Sequence, residues 1–464
     1  MKERKDSVDL VHPDYRRYIN MVNIVRDIYD GTDSIKKHIY KFDKESEQSI
    51  ATRKEKATVK NFVKRSTEAF VGMIFRKSVE TTGLDDRMLS IVKNIDKSNN
   101  LAQFARELTT NLVLDGKVFI GIDTDIDGKG EPYAIIYKRE QIINWRVNEA
   151  GLYTLVVVKE IVEEKYGKFG SEEIVQYRVF NENGDVDIYR ETDNGFMIVE
   201  TIETEYDYIP IVSCELGDIP MLYDVAKLTI KHLNRTSIKD KYLDMCATPI
   251  PVLWDRDTSY EETNGIKPVA IIGADSGFVF SGTKEECDFE WRELSGSSID
   301  KLQEDLKVIE DDITTGIIRA AISDTTTIKT ATQSFYEAAE SANRVAVIAY
   351  EVETGLNKIF KILADVGNIE IDDEARVIVN KDFNAVAGDG NTIRLLWEVY
   401  LQGGISTETF LDSLSKYEII DIGSVRDEMN RIENDKFELK PRISVDKDNP
   451  SYSNMDNRTK SVLS

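Results

Sequence analysis

The stretches MLYDVAKLTIKHLNRTSIKDKYLDMC (221–246) and SSIDKLQEDLKVIEDDITTGIIRAAI (297–322) decide how this chain is read. The first follows Pro220, a residue suited to a helix opening, and precedes Thr-Pro-Ile-Pro at 248–251, which stops a helix. The spacing predicts one helix of about 25 residues. Lys227, Lys231, Arg235 and Lys239 recur every four positions and form one basic stripe opposite Leu222, Val225, Ala226 and Leu233. In the second stretch Ile299, Leu302, Leu306, Ile309, Ile313 and Ile317 make an apolar face, with Ser297 or Ser298 as N-cap. Asp300, Glu304 and Asp311 lie within about 40° of one another at roughly 100° per residue, with Lys307 beside them. Solvated faces of ordinary amphipathic helices account for such stripes. A sharper reading stands the helices side by side, with one stripe toward a neighbouring subunit and the other toward a channel. Between them PVLW, VAIIG, FVFS and FEWREL read as four short strands of a small β insertion.

Working outward, proline placement organises the rest. The nine prolines leave 269–440 free of any, so long helices are allowed there. A Thr-rich polar interval at 323–335 precedes a very long helical pattern at 336–366. That pattern begins with small residues (Ala338, Ala339, Ala342, Ala346) that permit tight packing, and ends in Leu356, Ile359, Phe360 and Leu363. A strand pair or turn is expected at 374–383 and helices at 392–401 and 407–416, the second capped by Ser406 or Thr407 after Gly403-Gly404. The polar stretch from about 436 onward reads as a mobile tail. Toward the N-terminus, helical periodicity covers 15–29 and 59–75, where Phe62, Val63, Phe70, Val71 and Ile74 share a face. Strand patterns follow at 117–123, 133–137, 153–158, 176–180 and 186–189. The fold class is α+β with an antiparallel sheet.

At 464 residues the chain suggests two to four domains or one elongated unit. It is 41% hydrophobic and 31% charged, so it is neither disordered nor fibrous. The formal charge of −24 excludes a simple basic nucleic-acid clamp. No apolar run reaches the roughly 18 residues of a membrane span, and the start lacks an apolar signal region, so synthesis in a cytosol is expected. Cys214, Cys246 and Cys287 are odd in number and widely spaced, which argues against disulfides and a zinc site. The three histidines, His12, His38 and His232, form no metal-binding helix pair.

Candidate chemistry is sparse. Asp123, Asp125, Asp127 and Gly128 reproduce the opening of a calcium loop, but the twelfth position is Ala134 and the flanks read as strands; a hairpin turn is the better account. The segment from Gly277 to Lys284 has P-loop glycine spacing with its last two residues reversed. No nucleophile elbow is present. No catalytic residue, metal or cofactor is assigned, and the expectation is that the chain is not an enzyme.

The order helix, β insertion, returning helix, Thr-rich loop, very long helix resembles the portal proteins of tailed double-stranded DNA bacteriophages. Several strings also resemble a portal-like family of uncharacterised phage proteins: HPDYRRYINMVNIVRDIYDG, NFVKRSTEAFVGMIFRKSVE, YKREQIINWR, FEWRELSG and IKTATQSFYEAAESANRVAVIAYEVETGLNKIF. The resemblance covers most of residues 10–430. It implies a portal fold with a wing at 1–220, stem helices at 221–246 and 297–321, and a clip at 247–296. A tunnel loop at 322–335, a spine helix with return to the wing at 336–387, a helical crown at 388–434 and a tail at 435–464 complete it. It further implies a homo-oligomeric ring of twelve at one capsid vertex of the virion, synthesised in a bacterial host. Double-stranded DNA passes through it without sequence specificity during packaging and ejection. The implied partners are the packaging motor (terminase large subunit), a head-tail adaptor, the major capsid protein and a scaffolding protein, with no membrane and no cofactor.

On that reading Asp300, Glu304, Lys307 and Asp311 line the tunnel, and Thr325, Thr326, Thr327 and Lys329 narrow it. Lys227, Lys231, Arg235 and Lys239 meet an adjacent subunit, and Asp257, Glu261 and Glu262 dock the motor or adaptor. An acidic channel repels phosphate and lets the polymer slide. The rival readings are a soluble acidic enzyme with a metal at the 123–127 turn, and another head-tail structural component.

Overall fold

The computed structural model describes residues 7–124, 130–193, 195–246, 250–255, 278–281, 288–292, 297–314, 331–372, 374–381, 390–402, 404–416, 428–429 and 431. Of these, 245–298, 331–343, 390–393, 412 and 415–416 are described by backbone alone. Two units divide the chain, residues 1–383 and 384–464.

The first unit opens with α1 (Pro13–Asp30), where Pro13 takes the first turn and the His12 ring accepts the Asp14 N–H at 3.2 Å. Its buried stripe is Val22, Val25 and Ile28. A short 3-10 helix (Ser34–His38) leads to α2 (Glu47–Lys56), α3 (Phe62–Ile74), the short strand β1 (Glu80–Thr82) and α4 (Asp86–Lys93). Next comes α5 (Leu101–Asp115), opened by a reciprocal Asn100/Gln103 capping box and closed by Gly116 at φ 73°. Gly116 is required there, because a side chain would run into the Gly217 carbonyl where the chain returns toward α6.

The strands are β2 (Lys117–Asp123), β3 (Tyr133–Tyr137), β4 (Ile142–Val147), β5 (Tyr153–Tyr166), β6 (Gly170–Asn181), β7 (Val186–Thr192), β8 (Gly195–Ile202) and β9 (Ile211–Glu215). They form a three-stranded sheet β3-β2-β9 and a five-stranded sheet β4-β5-β6-β7-β8, with every neighbouring pair antiparallel. Then follow α6 (Tyr223–Cys246), β10 (Ile250–Asp255), β11 (Phe278–Ser281), β12 (Asp288–Arg292), α7 (Ser297–Ile313), α8 (Ala331–Val366) and β13 (Arg376–Ile378), which pairs with β1.

Strand β2 divides two apolar cores. Val118, Ile120 and Ile122 face the helical core with Phe70, Phe104, Leu108, Leu356 and Ile359. Phe119, pointing the other way, joins Tyr137, Val156, Val158, Phe180 and Ile211 beneath the five-stranded sheet. That sheet's outer face packs Val157, Tyr177 and Val179 against Val8, Val11 and Tyr15 from the chain start. The layers are therefore helices, three strands, five strands and an N-terminal cover.

A bidentate pair ties α1 to α5: Arg26 Nε and Nη2 donate to the two Asp115 oxygens at 2.7 and 2.6 Å, and the Arg139 N–H donates to Asp115 at 3.2 Å. Burial works against the Arg26 charge, yet Asp115 beside it holds the guanidinium pKa above its ordinary value. Helix α8 crosses β9 at Gly355, where an added methyl would collide with Cys214 Sγ.

The second unit contains α9 (Gly390–Leu401) and α10 (Thr407–Lys416). Tyr400 and Phe410 stack across them with ring centroids 4.6 Å apart.

Several boundaries differ from the sequence reading. The helix expected from 336 begins at Ala331, so residues 331–335 are helical and not loop; Thr and Ser are tolerated where neighbours already propagate the helix. The second stem-like helix is described to Ile313, and 315–330 lie outside the described residues, as does the expected VAIIG strand. Strand β5 runs on to Tyr166 because pairing with β6, and not apolar alternation, sustains it. Helices α2, α4 and α5 and strands β1, β4, β8 and β9 had no expectation attached. Among the described residues, no helix is long and apolar enough to cross a membrane.

Candidate functional site

The paired helices α6 and α7 hold most of the residues singled out in the sequence. Helix α6 buries Val225, Ala226 and Leu233 in the helical core, preceded by Leu222. The same helix also buries Thr229, His232, Asn234 and Ser237, a polar row that the apolar-versus-basic pattern did not reveal. Each has a partner. Thr229 Oγ1 donates to the Val225 carbonyl at 2.7 Å, Asn234 Nδ2 to the His38 carbonyl at 3.0 Å, and Ser237 Oγ accepts from Arg53 Nη2 at 2.9 Å.

Two polar links join α6 to α7. His232 Nε2 lies 2.8 Å from Glu310 Oε1, and Arg235 Nε lies 2.9 Å from Asp305 Oδ2. Residue numbers rise along α6 as they fall along α7, so the helices are antiparallel. Leu306, Ile309 and Ile313 are buried along α7. Lys60 Nζ also donates to Glu310 Oε1, at 2.6 Å, and the Phe62 and His232 rings meet edge to face with centroids 5.7 Å apart. Burial opposes the Glu310 charge, but the hydrogen bonds from Lys60 and His232 outweigh it and hold the carboxyl below its ordinary pKa.

A second cluster fixes α6 to α2. Arg53 Nη1 donates to Glu45 Oε2 at 2.6 Å, and Lys241 Nζ donates to Ser49 Oγ at 2.6 Å. Burial raises the Glu45 pKa, but the Ser49 hydroxyl, the Phe42 N–H and Arg53 together bring it below the ordinary value.

The predicted residues divide as follows. Asp300, Glu304, Lys307 and Asp311 are all exposed on the side of α7 away from its buried Leu/Ile face, with exposed Val308 beside them. Lys227 and Lys231 are exposed, whereas Lys239 is half-buried and Arg235 is drawn into the Asp305 pair. The basic row is therefore split between outward lysines and an arginine used within the chain. Thr325, Thr326, Thr327 and Lys329, and likewise Asp257, Glu261 and Glu262, lie outside the described residues. The strands carried between the helices form a sheet with β10 central, parallel to β11 and antiparallel to β12.

The calcium-like turn is committed elsewhere at its first position: Asp123 Oδ2 pairs with Arg178 Nη1 and accepts from the Tyr133 hydroxyl at 3.4 Å. Residues 125–129 lie outside the described set, and among the described residues no group of three or more His, Cys, Asp or Glu is placed to hold a metal. Cys214 is buried, and burial pushes its thiol up to about 12.

A family described as "Domain of unknown function (DUF4055)" matches residues 221–366. No curated protein matches the chain. Similar solved structures include a chain from the neck of the empty gene transfer agent (GTA) particle at C6 symmetry, at 10% identity and TM-score 0.42, covering 78% of this chain and 92% of that one. Another is from the virion of the native GTA particle, at 10% identity and TM-score 0.38 with the same coverage. A third, from the neck of the native particle at C12 symmetry, has 10% identity and TM-score 0.36, covering 76% of this chain and 89% of that one.

Proposed function

We propose that the chain is the subunit of a portal-type ring, a structural component of a tailed-phage particle through which double-stranded DNA passes. One observation carries this reading. An antiparallel helix pair, α6 and α7, leaves the helical core, bears a three-stranded β module between its members, and is followed by a 36-residue helix. That is the stem, clip and spine order implied by the sequence resemblance.

In the ring, Asp300, Glu304 and Asp311 face the DNA and repel its phosphates, so that the polymer slides. Lys227 and Lys231 face acidic groups of the adjacent subunit. The module at 247–296 meets the motor and adaptor, and the 322–330 segment narrows the passage. The pair contacts His232–Glu310 and Arg235–Asp305 hold the acidic face outward by fixing the rotation of α7 against α6. The chain itself does no chemistry in this role; the energy for packaging comes from another protein.

Purified chain examined by mass photometry and negative-stain imaging tests the reading. A ring of several subunits with a central hole supports it. A monomer, or an assembly without a hole, refutes it. Specific binding of a divalent cation by a monomer, lost on replacing Asp125 and Asp127, favours the enzyme reading instead.

A further inference from the structure

The pairing of β5 with β4 ends at Val158 and that of β6 with β7 at Gln176, yet β5 and β6 continue together to Tyr166 and Gly170. This two-stranded extension is built unlike the sheet it leaves. Ile161 and Val175 stand directly opposite and are 66% and 42% exposed, and Phe169 at the tip is 90% exposed. Next to them Glu163 faces Glu173 and Glu164 faces Glu172. Like charges directly opposite destabilise a strand pair, and a lone two-stranded ribbon is marginal in water. Arg190 reaches Glu164 at 3.4 Å, but Glu163, Glu172 and Glu173 have no ion-pair partner among the described residues. The ribbon also carries Lys165 and Lys168, the latter 5.2 Å from the Phe169 ring centroid, but its four glutamates outnumber these two lysines, so it calls for a surface that is both apolar and cationic.

The chain has such a surface on the other side of β2. Residues 36–44 read KKHIYKFDK, with Lys36, Lys37, Lys41 and Lys44 against one acid, Asp43. Tyr40 and Phe42 are exposed among them, their rings edge to face at 5.4 Å. Ile35 and Ile39 anchor this segment in the helical core, and Asn234 of α6 grips it through the Tyr40 N–H and the His38 carbonyl. Lys37 pairs with the largely buried Asp27, whereas Lys36–Asp33 and Lys41–Glu47 are exposed pairs, weak and exchangeable. Lys44 is exposed with no acidic partner among the described residues.

We infer that the β5–β6 ribbon is a docking arm whose occupant is the 36–44 segment of a second copy of this chain. The inference rests on the ring reading above and supplies its outer contact. Both surfaces are open in the single chain and belong to layers on opposite faces of β2, so each meets its complement on another molecule. Two different patches joined head to tail make a heterologous contact, which closes into a ring when the rotation permits.

The test uses the full chain. Glu163→Lys with Glu173→Lys raises the concentration for half-assembly by at least about tenfold near 0.1 M salt, and so does Lys41→Glu with Lys44→Glu; the four changes combined restore assembly. Independently, Phe169→Cys with Lys44→Cys, in a chain carrying Cys246→Ser and Cys287→Ser, yields an oxidised ladder beyond two subunits that neither single cysteine gives. Rings that form normally with either reversal and give no ladder overturn the docking arm and leave the ring intact. A ladder ending at two subunits also overturns it, because it indicates a two-fold contact. An unmodified chain that makes no ring removes the premise and the inference together.

Discussion

Replacing Glu310 by Gln tests whether polar links, and not only apolar packing, fix α7 against α6. Glu310 accepts from His232 at 2.8 Å and from Lys60 at 2.6 Å. His232 is 3% exposed and Lys60 is not shielded, so the two bonds have different weight. A charge-assisted bond from a buried histidine to this part-buried carboxylate contributes about 2 kcal/mol, whereas an exposed lysine pair contributes about 0.5 kcal/mol. Glutamine keeps the shape and one neutral bond of about 1 kcal/mol, so the net loss is about 1.5 kcal/mol.

The sign with pH follows from the lowered carboxyl pKa. The stabilisation is present above the unfolded glutamate value near about 4.3 and fades as pH falls through the lower folded value. Urea unfolding followed by circular dichroism at pH 7 and at successively lower pH measures both. A loss under about 0.5 kcal/mol at pH 7 is below what the buried bond implies and refutes the reasoning. So does a loss that stays constant as pH falls through the carboxylate range.

Other outcomes follow from the packing and the charge. Asp115→Ala leaves Arg26 buried without its bidentate partner and costs about 3–5 kcal/mol in the same unfolding assay. Gly355→Val forces α8 away from Cys214 and β9, lowering stability by about 1–3 kcal/mol or more; Ala at the same position costs less. Cys214, with its thiol pushed up to about 12, stays protonated near pH 8, so a thiol reagent labels it only upon unfolding in a chain lacking the other two cysteines. Changing Asp300, Glu304 and Asp311 together to Lys makes the assembled particle retain double-stranded DNA with a steep salt dependence; filter binding across salt shows this, and unchanged retention counts against a DNA-facing stripe.

The parts of the fold that could be read in advance are those whose residues carry their own signal. Lys117–Asp123 and Tyr133–Tyr137 are β-branched and aromatic runs set between turn segments, and Thr407–Lys416 follows a cap, so their bounds coincide with expectation. Helix α5 escaped because Leu101–Asp115 is apolar on several sides, being buried among helices on one flank and β2 on the other. Its Asn100/Gln103 cap was the usable signal. The candidate site was legible as two helices with charged faces. Its cross-links were not, since Arg235–Asp305 and His232–Glu310 join residues about 70 to 80 positions apart, and no local spacing encodes which carboxylate a cation will meet. Asp305 and Glu310 lie off the acidic row that periodicity picked out, yet these are the carboxylates that bind α6.

Strand β2 lends successive side chains to two different cores, Val118, Ile120 and Ile122 to one and Phe119 to the other. Melting of either hydrophobic compartment is coupled to the other, because losing either strips the same strand of half its contacts. The helical and sheet layers of the first unit are thus thermodynamically one body, and its denaturation should register as a single sharp endotherm without a plateau between compartments.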